Sequence, residues 1–277
     1  MSLAGKLRLR HQPVKPAIGS RVLNGKDDLL NGALAQEIRA LLEARGVLVF
    51  PRIDFSDAEH LAFTATLGSF APDNAEGAST VISLDPDKGA NADYTRSSFF
   101  WHFDGYFNDV PVLASIMCAR VLPAEGGDTE FANSYAAYEA LPEAEKRELE
   151  GLRAVHALAA AQLSVEPEPS HATFRQWRQV RDNVLPLVWT HRSGRKSLIV
   201  GNTALGVLGM EPIDSAGLLI RLRDWATQPR FCYRHRWQPG DCVMWDNTGT
   251  LHRAMPYDPA SGRLLTRTKL AGEEPFA

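Results

Sequence analysis

Apolar and polar positions alternate between two periods along this chain. Leu34, Ile38, Leu41 and Leu42 recur at helical spacing, and Gly46 is placed to stop that helix. Val47-Leu48-Val49-Phe50 follows as a short buried strand, ended by Pro51. Ser56-x-x-Glu59 is a capping-box pattern that opens a second helix, through Leu61 and Ala65 to Gly68. Residues 71–97 then mix Asp, Asn, Gly, Pro and Ser around one apolar run, Val81 to Leu84, and predict a long loop. Such a loop can act as a lid or can be an inert excursion, and the pattern leaves both open.

Beyond the loop, Ser97 to Phe107 is a run of aromatics that predicts an extended strand. Val112–Leu122 and Asp128–Phe131 read as strands around the turn Pro123–Gly127. Ser134–Leu141 reads as a helix, and Pro142 opens another that stops at Gly151. Leu152–Leu158, Val184–His191 and Lys196–Val200 are further strands. Leu218, Leu219, Leu222 and Trp225 mark an amphipathic helix ending near Pro229. Arg230–Trp237, Asp241–Asp246 and Arg263–Leu270 are the closing strands. Short strands with helices early or inserted predict a mainly β fold with flanking helices, a sandwich or jelly roll.

Composition narrows the class. With 277 residues, 44% apolar, the chain can bury one large core, and no Pro/Gly/Ser-rich linker divides it. One domain over 1–277 is expected, with 1–30 as an N-terminal arm and strand. A net charge of −3 gives no field to gather nucleic acid or anionic membrane. No apolar run is long enough to span a bilayer, and the N-terminus lacks a signal-type segment. Cys118, Cys232 and Cys242 form no close-spaced thiol motif, which suits a reducing cytoplasm and predicts no disulfide.

The candidate chemistry sits in the aromatic run. His102 and Asp104 are two apart, so in an extended chain they share a face while Trp101 and Phe103 look away. His252, after the Trp245-Asp246-Asn247 block, is a candidate third ligand. Two imidazoles and one carboxylate with open positions suit ferrous iron that activates oxygen, and no Cys pair completes a closed zinc site. The same residues also fit ordinary satisfied histidines. Arg263 and Arg267 are four apart and would share a strand face, as a carboxylate clamp or as exposed arginines paired with acids.

Several ordered blocks decide between these readings. Trp101-His102-x-Asp104, Gly126-Gly127-Asp128-Thr129-Glu130-Phe131 with Ala136 to Leu141, and Thr190-His191-x-Ser193-Gly194-Arg195-Lys196 are three of them. Tyr233 to Trp237, Trp245-Asp246-Asn247, His252-Arg253, Arg263 and Arg267 complete the set. Together the chain resembles the TauD/TfdA family of Fe(II)- and 2-oxoglutarate-dependent dioxygenases over nearly its whole length. The resemblance implies a double-stranded β-helix core and an iron site of His102, Asp104 and His252. It implies that Thr129 and Arg263 bind the distal carboxylate of 2-oxoglutarate, and that Arg267 holds a substrate anion and aids the cosubstrate. It implies hydroxylation of a small organic anion by O2, with release of succinate and CO2.

Ser98, Phe103 and Tyr106 join Arg267 as expected substrate contacts, with Phe99, Phe100 and Phe107 as a wider aromatic surround. Relatives that act on taurine present a sulfonate-binding histidine near 70–75, where Asp73 and Asn74 stand here, and Thr248 replaces an arginine common after the Trp-Asp-Asn block. These departures point away from taurine, toward a larger carboxylate, sulfonate or sulfate ester with an aryl or alkyl body. The family resemblance also implies a homo-oligomer, dimer or tetramer. Desaturation, epoxidation or fragmentation at the same iron, and a non-catalytic anion-binding jelly roll, are the alternatives.

Overall fold

The computed structural model describes residues 7–73, 77–85, 87–88 and 95–276. One large sheet holds β1 (His11–Pro13), β2 (Ser20–Val22), β3 (Val47–Phe50), β4 (Thr80–Ile82) and β5 (Ala114–Val121), with β13 (Cys242–Asp246) and β15 (Leu264–Leu270) from the far end of the chain. Their spatial order is β1-β2-β3-β13-β5-β15-β4, antiparallel throughout except for the β2–β3 pair. A smaller antiparallel sheet places β6 (Thr129–Asn133) between β12 (Cys232–His235) and β14 (Thr250–Ala254). Side chains from both sheets share one core: Phe131 and Tyr233 from the small sheet meet Val47, Val49, Val243, Trp245 and Leu265 from the large one.

Helices cover the outer faces. Over the large sheet lie α1 (Lys26–Leu30), α2 (Ala35–Arg45) and α3 (Asp57–Leu67), packing Ile38, Leu42 and Phe63 against Phe50, Ile116 and Met244. Both expected N-terminal helices form, and Ser56 caps α3 with the reciprocal Glu59 bond that its spacing predicts. Beyond β6 come α4 (Ser134–Glu139) and α5 (Glu143–Leu149), then β7 (Arg153–His156), α6 (Leu158–Leu163) and α7 (His171–Trp177). β8 (Asn183–Pro186), β9 (Val188–Thr190), β10 (Lys196–Leu198), β11 (Ala204–Val207) and α8 (Pro212–Ala226) follow. They bury the outer face of the small sheet around Trp189, Leu222 and Leu251.

Four expectations need correction. The Ser97–Phe107 stretch is a 3-10 turn, Ser97–Phe99, followed by extended chain that makes a single bridge at His102. Bulky aromatics favour strands because they pack on a pleated surface, yet here they bury without a neighbouring strand to complete a ladder. Trp101 and Phe103 do anchor into the outer core, as the alternation requires. Val184–His191 breaks at Leu187, where the chain leaves the β7 ladder and joins that of β10. The 71–97 stretch contains β4 paired to β15 at the sheet edge, while residues 74–76, 86 and 89–94 lie outside the described residues. Cys118 and Cys242 oppose each other across β5 and β13 and are joined by a disulfide, because the register of two distant strands sets them side by side.

Among the described residues no helix is long and apolar enough to cross a membrane.

Candidate iron and keto-acid site

The site is assembled by a backbone pairing. His102 and His252 exchange both main-chain hydrogen bonds, at 3.0 and 2.8 Å. Residues directly opposite in an antiparallel pair point to the same face, and the two rings lie with centroids 4.1 Å apart. Asp104, two residues on, projects from the same side of the extended chain. Its Oδ1 lies 3.9 Å from His102 Nε2 and 3.8 Å from His252 Nε2. The three donor atoms fall within 4.8 Å of one another.

Their protonation states suit a divalent cation. Burial pushes the His102 pKa down, and burial together with the neighbouring His102 pushes His252 well below the usual histidine value. Both rings are therefore neutral at pH 7. Burial alone would raise Asp104, but Arg267 and the two histidines outweigh it and hold the carboxyl far below its ordinary range. His102 Nδ1 lies 2.8 Å from the Phe100 carbonyl, which can only accept. Nδ1 thus carries the proton, and Nε2 keeps its lone pair toward Asp104. Two neutral imidazoles and an ionised carboxylate are the forms that metal binding requires, so this donor set fits ferrous iron.

The second Asp104 oxygen is held from behind. Ser115 donates to Oδ2 at 3.3 Å and Arg267 at 3.2 Å. Asn247 Nδ2 donates to the Ser115 hydroxyl at 2.9 Å, while Asn247 Oδ1 accepts from Trp245 at 2.9 Å. The Trp-Asp-Asn block therefore reaches Asp104 through Ser115. Sequence reasoning missed Ser115, which stands in an apolar strand with no motif around it.

Arg263 is 2% exposed. It donates to the Gly127 carbonyl at 3.0 Å and lies over the Tyr257 ring at 4.5 Å, and its Nε has no hydrogen-bond partner. Among the described residues no carboxylate lies within ion-pair distance of it, and Asp128 attracts it only from further away. Close packing dictates the sequence beneath it: a Cβ on Gly127, whose φ is +71°, would lie 2.8 Å from Arg263 Nε. Thr129 Oγ1 accepts from Trp237 Nε1 at 3.0 Å, which leaves its own hydrogen free to donate.

A cavity of about 250 Å³ brings these groups together: His102, Asp104, His252, Thr129, Arg263 and Arg267 all line it. Ser98 and Phe99 line it as well, with Ile82, Leu84, Met117 and Tyr257 on the apolar side. Phe103 and Tyr106 do not. They are 4% and 3% exposed in the outer core, where Phe103 packs on His156 and Phe276, so the expected substrate contacts there are corrected. Aromatic character alone could not separate a pocket wall from core. Phe100 and Phe107 are exposed. A larger groove of about 820 Å³ lies on the far side of the small sheet, away from His102, Asp104 and His252.

Residues 10–269 match the family described as "Taurine catabolism dioxygenase TauD, TfdA family". The chain is 36% identical to the alpha-ketoglutarate-dependent 2,4-dichlorophenoxyacetate dioxygenase of Cupriavidus pinatubonensis, over 87% of this chain and 89% of that protein. It is 33% identical to an alkylsulfatase of Acinetobacter baylyi, over 84% and 75%. The crystal structure of AAD-2 in complex with Mn(II) and N-oxalylglycine superposes with a TM-score of 0.87 at 29% identity, covering 98% of this chain and 99% of that one. The chain belongs to the TauD/TfdA family. It is a 2-oxoglutarate-dependent non-haem iron dioxygenase.

Proposed function

We propose that His102, Asp104 and His252 hold the iron and that Arg263 and Thr129 hold the far carboxylate of 2-oxoglutarate. The observation that carries this is Arg263, a buried guanidinium without a carboxylate partner that lines the same cavity as three metal-ready ligands. A buried cation is costly unless an anion meets it, and a planar fork accepts a carboxylate through two parallel bonds. When bound, iron with 2-oxoglutarate supplies oxygen activation coupled to decarboxylation, giving succinate and an oxidised substrate carbon. The protein's part is placement. Arg263 and Thr129 fix one end of the keto acid, the triad fixes the metal, and Ser115 with Arg267 keeps Asp104 Oδ2 engaged so that Oδ1 stays directed at the metal. Ile82, Leu84, Met117 and Phe99 keep water from the cavity wall.

Arg267, with Ser98 at the rim, receives the substrate's anionic group. The relatives named above act on an aryloxyacetate and on alkyl sulfate, which supports a monoanionic carboxylate or sulfate ester with an aryl or alkyl body. The two facing sheets are read as the family's double-stranded β-helix, in one domain over 1–277, since the large sheet draws strands from residue 11 to residue 270. A dimer or tetramer and a cytoplasmic location complete the reading. The cytoplasm keeps iron ferrous, and the Cys118–Cys242 pair, 1% and 0% exposed, is sealed from its thiols.

Anaerobic addition of 2-oxoglutarate to the Fe(II) protein is expected to give a visible charge-transfer band, followed by succinate on admitting oxygen. Full succinate formation in His102→Ala or Asp104→Ala would reject the assignment.

A further inference from the structure

A second ionic cluster adjoins the cavity, and two of its members, Thr80 and Arg267, line it. Asp73 Oδ2 accepts from Arg267 at 3.1 Å and from the Thr80 hydroxyl at 2.8 Å, while Asp73 Oδ1 accepts from Lys269. Three donors thus clasp one carboxylate. Their common direction follows from register: Thr80 is the direct partner of Arg267 across β4 and β15, and Lys269 lies two residues along β15. The chain before Asp73 is tied to the same strand. Ala71 donates to the Lys269 carbonyl and Ala271 to that of Ser69, and this pairing ends just short of Asp73.

We propose that Asp73, clasped by Arg267, Lys269 and Thr80, is an autoinhibitory resident of the substrate-anion seat at Arg267, expelled when substrate enters. The proposal rests on the reading of Arg263 and Arg267 given above. Of the cations lining the cavity, Arg263 is committed to the keto acid, which leaves Arg267 for the substrate. Among the described residues two carboxylates pair with Arg267, Asp104 at one terminal nitrogen and Asp73 at the other. Asp104 must stay to hold metal, so of these two Asp73 is the one that can yield. Lys269 is 15% exposed and, among the described residues, Asp73 is its one ion-pair partner, so it is too enclosed to be left without a counter-charge. Release of Asp73 is therefore coupled to arrival of another anion. One negative charge leaves and one enters, which selects monoanions, carboxylates or sulfate esters, over dianions. The position also places the anion one guanidinium away from a metal ligand, so a carbon close to the anion faces the oxidising centre.

The test uses the full-length protein loaded with Mn(II) and N-oxalylglycine, with 2,4-dichlorophenoxyacetate and hexyl sulfate as probes, titrated by calorimetry. Asp73→Asn is expected to tighten the better probe by about tenfold, and Lys269→Met and Thr80→Val to weaken it, with Lys269→Arg restoring most of the loss. Affinity for N-oxalylglycine should move less than about twofold, since a general field effect would shift both ligands alike. Asp73→Asn leaving the probe unchanged or weaker overturns the exchange, as does equal tightening of probe and N-oxalylglycine. Failure of both probes to bind any of these proteins overturns the seat. Failure of N-oxalylglycine to bind the unaltered protein removes the Arg263 reading first, and this proposal with it.

Discussion

His102 and His252, from opposite halves of the chain, are direct partners in an isolated antiparallel bridge. Each donates its backbone N–H to the other's carbonyl, and this brings the two imidazoles onto one face beside Asp104. The neighbours of these residues form a matching layer on the opposite face. Glu130, next to Thr129, accepts from both Arg234 and Arg253, and Arg253, next to His252, lies over the ring of Trp101, next to His102.

That outer layer should be felt inside. Arg253→Ala removes an ion pair and the stacking on Trp101 together. A loss of about 1 kcal/mol in denaturant unfolding is expected, modest because Arg253 is one-third exposed. Mn(II) affinity should fall with it. Unfolding and Mn(II) titration curves that superpose on those of the unaltered protein would show that the layer does not position the ligands.

Ser115→Ala and Asn247→Ala loosen Asp104 while leaving His102, Asp104 and His252 unsubstituted. Partners that orient ligands in this way are typically worth about 10–100-fold in metal affinity. Both variants should bind Mn(II) at least about tenfold more weakly by electron paramagnetic resonance titration. The double variant should be little worse than either single one, because the two residues act in series.

Arg263→Met should raise the 2-oxoglutarate requirement by about 100-fold or more, the usual scale for losing a desolvated charge pair. Arg263→Lys should recover only part of this, since an ammonium lacks the two-pronged geometry. Gly127→Ala should mimic the loss, because the added methyl falls against Arg263 Nε. A KM for 2-oxoglutarate unchanged from that of the unaltered protein in all three would disprove the carboxylate clamp.

Stability should fall on mild acidification. Burial lowers His60 to about 4 and His156 to about 3, so both are neutral in the fold and charge readily only on unfolding. The unfolded chain then binds more protons between about pH 6.5 and 4. This contribution is complete above 6.5 and is lost as pH drops through that window, at about 1.4 kcal/mol per pH unit for each histidine. His60→Gln should reduce the slope by one proton equivalent, measured by urea unfolding at pH 7.5 and pH 5. An unchanged slope would mean that His60 is already protonated in the fold.

Much of the fold was legible because periodicity and capping act over a few residues. The helix stopping at Gly46, the capped helix at Ser56 and the strands around Val47, Val243 and Leu265 all follow from local spacing. Reading failed where a residue's partner was remote. Phe99 and Phe103 are chemically alike and four apart, yet one lines the cavity and the other fills the outer core. Ser115 gave no signal, because its role exists only once β5 lies beside Asp104 and Asn247.

The sequence by itself determined which side chains could do the chemistry: the His-x-Asp pair, the distant histidine and the two arginines of the closing strand. Tertiary structure decided how they are used. The register of β15 against β4 turned Arg267, Lys269 and Thr80 toward one carboxylate, and burial left Arg263 without one. Spacing along a chain sets which face a residue takes, but the charge that meets it there depends on strands far away in sequence.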